Sequence, residues 1–206
     1  MEYRIDDLIL ELHSIHNQLN KILFDNSLQP IKINIETSIR KNRLTLGHFS
    51  TSKDWSDKRN QITIWTLALN GDYLKIIGVL LHEMIHQFNF ENNLKDTENN
   101  QRHNKNFRNT AINIAKLKIK SRDVRLGFAY TELSEELIWL INNRIDFNIN
   151  VFKKLIHKDA IEHTPKGYNK SKKYICKGCN TIINNTREKE LNIKCLDCNL
   201  NFKIFN

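Results

Sequence analysis

All four cysteines of this 206-residue chain fall in its last 31 residues, as Cys176-Lys177-Gly178-Cys179 and, fifteen residues later, Cys195-Leu196-Asp197-Cys198. That C-x2-C-x15-C-x2-C spacing leaves few structures open. Each C-x-x-C closes a tight knuckle, and two knuckles can present four thiolates to one zinc ion. Around them, Tyr174-Ile175, Thr181-Ile182-Ile183, Leu191-Asn192-Ile193 and Asn201-Phe202-Lys203-Ile204-Phe205 read as short strands. The combination predicts a small β zinc ribbon over 171–206, with Cys176, Cys179, Cys195 and Cys198 as ligands of a structural Zn2+. Four protein ligands leave no open coordination position, and such a module needs its metal to fold. Two redox pairs or disulfides are the other readings of the same residues. The lack of further cysteines, in a chain whose start does not resemble a secretory signal, favours zinc.

The rest of the chain is long enough for one sizeable core. Ile5, Leu8, Ile9, Leu12, Ile15, Leu19, Ile22 and Leu23 recur at helical spacing and predict a helix over 4–24. Residues 31–36 alternate apolar and polar, as a half-buried strand does, and 44–50 and 61–66 read as two more strands. Asn70-Gly71-Asp72 breaks the pattern, and Asp72 can cap a helix over 73–91. Further helices are predicted over 104–119 and, entered through Thr131, over 131–143. Residues 144–170 carry weak signals and many lysines, and read as a basic linker. The expected organisation is an α+β domain with a small sheet over 1–143, the linker, and the ribbon over 171–206.

The helix predicted over 73–91 carries Leu80-Leu81-His82-Glu83-Met84-Ile85-His86-Gln87-Phe88, which contains H-E-x-x-H. Residues four apart on a helix lie one turn apart on one face, so His82 and His86 can chelate a single Zn2+. Glu83 beside them can act as general base toward a water acidified by that metal. Ile76, Ile77, Val79, Leu80, Leu81 and Ile85 surround the motif, and two histidines with a carboxylate are poorly tolerated in such a core unless paired or metal-bound. The bland reading puts all three in solvent.

A catalytic zinc needs a third protein ligand. Asn89 and Asn92 stand where an extended H-E-x-x-H-x-x-G-x-x-H motif would place its glycine and third histidine, so that pattern is absent. Downstream candidates are Glu91, Glu98 and His103, with His103 favoured on ligand chemistry. His48 lies in a predicted strand and reads as a surface or structural residue. His13, His16, His157 and His163 fit no metal pattern.

These motifs resemble the SprT-like metalloprotease family, the group that includes the Spartan proteases. The resemblance covers residues 1–125. Leu23-Phe24-Asp25-Asn26-Ser27-Leu28 follows the first helix, Leu46-Gly47-His48 and Ile62-Thr63-Ile64 lie in strand-like segments, and His82-Glu83-Met84-Ile85-His86 is followed by His103-x-x-x-Phe107. The resemblance implies a zincin-type fold, His82, His86 and His103 as ligands of a catalytic zinc, and Glu83 as acid/base. It also implies proteolysis of DNA-associated or DNA-crosslinked proteins, and a similar ribbon often follows the family's protease domain. Asn104 stands where the family usually has Gly, and Asn tolerates the positive φ such a turn can require.

Charge is distributed unevenly. Residues 144–206 carry 13 Lys and Arg against 6 Asp and Glu, whereas 1–143 carry 19 against 17. Four thiolates with one Zn2+ reduce the tail from +7 to about +5. A second basic run, Arg102, Lys105, Arg108, Lys116, Lys118, Lys120, Arg122 and Arg125, follows the H-E-x-x-H helix. Both suit backbone-driven, salt-sensitive contact with nucleic acid, or a simply solvated surface. Phe152, Tyr168, Tyr174, Phe202 and Phe205 could stack on bases if exposed, or form the ribbon's core. The longest apolar runs, such as Ile76–Leu81, fall far short of the ~20 residues that span a bilayer. A cytoplasmic protein without membrane contact is expected, with two zinc ions per chain. A non-catalytic nucleic-acid-binding protein with a structural H-E-x-x-H site is the alternative, and a peptidase indifferent to DNA is a third reading.

Overall fold

The computed structural model describes residues 2–37, 45–51, 59–157, 160, 172–185 and 191–205. The chain divides into two compact units, Met1–Glu162 and His163–Asn206. It is a mixed α+β protein with small sheets. Among the described residues, no helix is long and apolar enough to cross a membrane.

The first unit opens with α1 (Ile5–Leu23). Leu8, Leu12, Ile15 and Leu19 form its fully buried stripe, while Ile5 and Ile22 stay exposed, so the apolar face is narrower than the sequence periodicity drew it. Burial of each of these four side chains contributes about 1.5–3 kcal/mol. Strands β1 (Lys32–Glu36), β2 (Gly47–Ser50) and β3 (Gln61–Trp65) form a sheet of order β1-β3-β2. β1 runs parallel to the central β3 and β2 antiparallel to it. Helix α2 (Tyr73–Glu91) starts where Asp72 accepts hydrogen bonds from the Leu74 and Lys75 N–H groups. Ile33, Ile62 and Ile64 of the sheet join Ile76, Ile77, Leu80, Leu81 and Met84 of α2 and the α1 stripe in one core. His16 of α1 reaches Gln87 of α2 across a buried 2.9 Å hydrogen bond, a packing role rather than a chemical one.

Beyond α2 the structure departs from expectation. Helix α3 spans only Lys105–Asn113, and residues 114–119 are not helical. Lys116 adopts a left-handed φ of 56°, and the chain enters β4 (Leu117–Asp123). The alternation of Leu117 and Ile119 with exposed Lys118 and Lys120 is a strand pattern, which the apolar count over 104–119 hid. β4 pairs antiparallel with β5 (Gly127–Leu133) through a bulged register. Asp123 Oδ1 closes the hairpin by accepting from the Arg125 and Leu126 N–H groups, and Gly127 takes a φ of 68°. Thr131 therefore sits in a strand. Helix α4 (Glu135–Arg144) begins later, where Ser134 Oγ accepts from Leu137 N–H.

The span read as a basic linker contains α5 (Ile149–Lys154), capped by Asn148 and anchored by buried Val151 and Phe152. Phe147 packs between Tyr73 and Phe152, with both ring separations 5.6 Å. Two buried apolar side chains in so short a helix give too little periodicity to register, yet they suffice to dock it. Residues 158–159 and 161–170 of that span lie outside the described residues, as does His163.

In the second unit, β6 (Lys172–Ile175) lies between β7 (Ile182–Asn185) and β8 (Lys203–Phe205), antiparallel to both. Tyr174 is its buried centre, and the hydroxyl accepts from Leu191 N–H at 3.1 Å. Leu191–Ile193 is not a strand; an isolated bridge joins Lys194 to Asn201 instead. Tyr174 and Phe152 are thus core residues and not base-stacking surfaces. Phe202 is half-buried, and Tyr168 and the Phe205 side chain lie outside the described residues.

Candidate metal centre and active site

The α2 helix sets His82 and His86 one turn apart, with ring centroids separated by 5.2 Å. The chain then leaves the helix, loops through residues 92–102 and returns His103 to the same point just before α3. His103 Nε2 lies 3.2 Å from His82 Nε2 and 3.1 Å from His86 Nε2. Phe107, fully buried, floors the cluster with its ring centroid 4.4–4.9 Å from all three imidazoles.

Asn104 does not occupy a left-handed turn. Its φ is −98°, and it is the N-cap of α3: Oδ1 accepts from the Asn106 and Phe107 N–H groups while Nδ2 donates to Lys95 O. Its side chain satisfies orphan donors at the helix start, which a glycine there could not do.

The outward nitrogens explain the orientation of two rings. His86 Nδ1 contacts Asp96 Oδ2 at 2.7 Å, and His82 Nδ1 contacts Thr131 Oγ1 at 3.1 Å. An ionised carboxylate only accepts, so His86 carries a proton on Nδ1, and whenever the ring is neutral its Nε2 lone pair faces inward. At His82 the Thr131 hydroxyl can accept from Nδ1–H, and that tautomer also turns the Nε2 lone pair inward. Burial, followed by repulsion from His86 and His103, holds His82 well below the usual imidazole range. Burial and the His86 charge push His103 down to about 4. For His86, burial acts downward, but the Asp96 hydrogen bond and the Glu83 charge outweigh it and raise its proton affinity.

Inward nitrogens this close repel one another unless a shared proton or a metal ion lies among them. An ion at the ordinary zinc–imidazole distance of about 2.0–2.1 Å separates tetrahedral ligand nitrogens by about 3.3–3.4 Å. The observed separations and the all-nitrogen donor set fit zinc, so His82, His86 and His103 could hold a metal ion.

Glu83 is 5% exposed and lies on the side of α2 facing the edge strand β2. Burial pushes its carboxyl up to about 7, against the His86 charge and a hydrogen bond from the Phe49 N–H, which act downward. Gly47 makes this approach possible: a Cβ there would lie 2.7 Å from Glu83 Oε1 and 2.7 Å from Val79 Cγ1. His48, its neighbour, is exposed and stands outside the three-histidine group. The other candidate ligands are engaged elsewhere, Glu91 with Gln29 N–H and Gln87, Glu98 with Arg102. His13, His16 and His157 do not join the group either.

Three contributors escaped the sequence reading. Asp96 and Thr131 carry no motif, since each acts on a histidine through tertiary contact. The third is Gly127. His103 N–H donates to Leu126 O at 3.0 Å and Phe128 N–H donates to His103 O at 3.2 Å, so the β4–β5 hairpin clips the backbone of the third histidine. A Cβ at Gly127 would fall 2.0 Å from His103 O. Gly127→Ala is expected to destabilise the first unit by about 2–4 kcal/mol, from left-handed backbone strain plus this collision. Urea unfolding and zinc content check it; an unchanged midpoint with unchanged zinc would refute the clip.

The hairpin also redistributes the basic run. Lys105 and Arg108 lie on α3, whereas Lys118, Lys120 and Arg122 lie on β4. Arg108 and Arg122 both stand over the Phe128 ring, at 5.6 and 5.8 Å. Lys120 pairs with Glu132 at 2.6 Å, which neutralises part of the patch.

In the second unit the four cysteine sulfurs gather within ligand range of one another, with Cys179 and Cys195 Sγ 3.7 Å apart. The two knuckles are built alike. Asn180 and Asn199 follow their second cysteines with left-handed φ of 59° and 57°. Gly178 lets the first knuckle sit against Cys198, whose Sγ would be 2.7 Å from any Cβ. Four thiols converging on one point fit a closed tetrahedral zinc site.

A family model described as the SprT-like family matches residues 12–126. No curated protein and no solved structure matches the chain.

Proposed function

The chain belongs to the SprT-like family, and from that premise we propose that it is a zinc-dependent peptidase of zincin type, acting on proteins associated with or crosslinked to DNA. Family membership makes the first unit a metalloprotease-type domain. The single observation that carries the reading further is the convergence of three imidazole Nε2 atoms beside one buried carboxylate.

In this reading His82, His86 and His103 hold the catalytic zinc, and Cys176, Cys179, Cys195 and Cys198 hold a structural one. Zinc, when bound at the histidines, supplies Lewis acidity to water and to a peptide carbonyl. The chain's own groups do the rest. Glu83, next in sequence to a ligand, takes the proton of the attacking water on its carboxylate and delivers it to the leaving amine. Gly47 leaves room for that carboxylate. Phe49 N–H steadies it, and Phe107 keeps the floor of the site dry.

The DNA-linked substrate rests on the family and on charge. Arg122 of β4, Lys118 (exposed, and 3.9 Å from Glu135) and the basic tail offer phosphate contacts without any base-reading motif, so binding should weaken steeply with salt. The test is cleavage of a protein crosslinked to single-stranded DNA, compared with the same protein free. Cleavage should require zinc, favour the crosslinked form, and fall at least roughly tenfold between about 50 and 200 mM salt, a change on the order of what several phosphate contacts produce. Equal, salt-insensitive cleavage of the free protein would point to a peptidase indifferent to DNA. DNA binding with no cleavage under any condition would leave a non-catalytic zinc protein.

A further inference from the structure

Asp96 lies in the loop between α2 and α3, ten residues beyond His86, and it touches both segments that carry metal-site histidines. Its Oδ2 accepts from His86 Nδ1–H at 2.7 Å, short enough for a charge-assisted bond. The same oxygen accepts from Asn89 Nδ2 at 3.1 Å, and Asn89 Oδ1 in turn accepts from Thr110 Oγ1 at 2.6 Å. Asn89 is fully buried and Thr110 is 5% exposed, so the chain of bonds runs through the interior from α3 to the ring of His86. Meanwhile the Asp96 carbonyl accepts from Asn104 N–H at 2.9 Å, fixing the residue next to His103.

We propose that Asp96 is a positioning residue of the metal centre: its carboxylate fixes the His86 tautomer and aims Nε2 at the ion, and Asn89 and Thr110 hold that carboxylate in place. This role rests on the three histidines being zinc ligands. Support behind the three rings is unequal. His86 has a carboxylate behind it and His82 the neutral Thr131 hydroxyl at 3.1 Å, while the buried His103 Nδ1 makes no well-aligned hydrogen bond among the described residues and feels only the Leu126 backbone. A carboxylate behind a ligating imidazole orients it and increases its donor strength, and losing such a partner typically weakens metal binding about 10- to 100-fold. A polar network this buried is stabilising only while every member is satisfied, which explains why Asn89 and Thr110 accompany the acid.

The experiment uses the full chain with its thiolate site filled by the first equivalent of zinc. The second equivalent is titrated against a competing chelator, and the His86 ring nitrogens are followed by 15N chemical shift before that equivalent is added, at alkaline pH where the ring is neutral. Wild type should take up the second zinc and show Nδ1–H at His86. Asp96→Ala should bind it about 10- to 100-fold more weakly and lose the tautomer preference, whereas Thr131→Val should cost less than Asp96→Ala. Asp96→Asn keeps an acceptor of the same shape and removes the charge, so it decides the matter if the alanine variant is unfolded by circular dichroism. It should retain the tautomer and bind zinc several-fold more weakly. Unchanged affinity in a folded Asp96→Ala, or in Asp96→Asn when the alanine variant is unfolded, overturns the proposal. Failure of the wild type to bind a second zinc would instead overturn the reading of the histidine site, and the proposal with it.

Discussion

Glu83→Gln is expected to lower the rate of protein cleavage by about 100- to 10,000-fold while leaving two zinc ions on each chain. The factor is the usual contribution of a positioned general acid–base group. A glutamine side chain has nearly the volume of the glutamate it replaces, so it fits beneath Gly47, and its amide oxygen can still accept from Phe49 N–H. It cannot take a proton from water. Stability should therefore stay level or rise slightly, because burial already disfavours the charged form of Glu83. The check is cleavage rate alongside metal analysis and thermal unfolding of the same preparation. A rate within about threefold of wild type, against the hundredfold or more that acid–base catalysis contributes, would remove Glu83 from the chemistry. Loss of zinc together with activity would show that the carboxylate holds the site together, and that the rate says nothing of proton transfer.

Removing the metal proposed for the cysteine site should have the second large effect. The unit His163–Asn206 is too short to bury a large core of its own, and among its described residues the buried apolar side chains are Tyr174, Cys176 and Cys195. In the proposed reading a shared zinc ion would hold the two knuckles together, with an apparent binding free energy of about 10–16 kcal/mol in comparable small zinc modules. Cys176→Ser, which removes a fully buried ligand, should unfold residues 172–205 while the first unit keeps its own core. Amide chemical-shift dispersion resolves the two units separately: signals from 172–205 should collapse to random-coil values and those from α1 and α2 should stay put. Retained dispersion in both units would mean that β6, β7 and β8 pair without the metal, and the structural role of this zinc would fall.

Much of this architecture is local in origin, and there the sequence sufficed. The α2 helix begins at the cap that Asp72 announces and places His82, Glu83 and His86 by its period alone. The cysteine knuckles close within four residues each, so their spacing already implies their geometry. Ligand chemistry and resemblance both favour His103, and the fold brings it, rather than Glu91 or Glu98, to the histidine pair.

Where the reading failed, long-range contact had decided. Lys116-Leu117-Lys118-Ile119 satisfies a helical count and a strand alternation equally well, and only pairing with Gly127–Leu133 selects the strand. The docking of Val151 and Phe152 turns a lysine-rich stretch into a helix, because burial against a preformed core outweighs weak local propensity. The same holds at the metal centre. By itself the sequence determined which side chains can bind metal, since ligand type and helical or knuckle spacing are properties of a few neighbouring residues. Only the tertiary structure decided which groups aim them. Asp96, Thr131 and Gly127 act across 10, 49 and 24 residues of chain on His86, His82 and His103. A hydrogen bond or a close backbone approach at such separations depends on how the whole unit packs, and no local pattern encodes it.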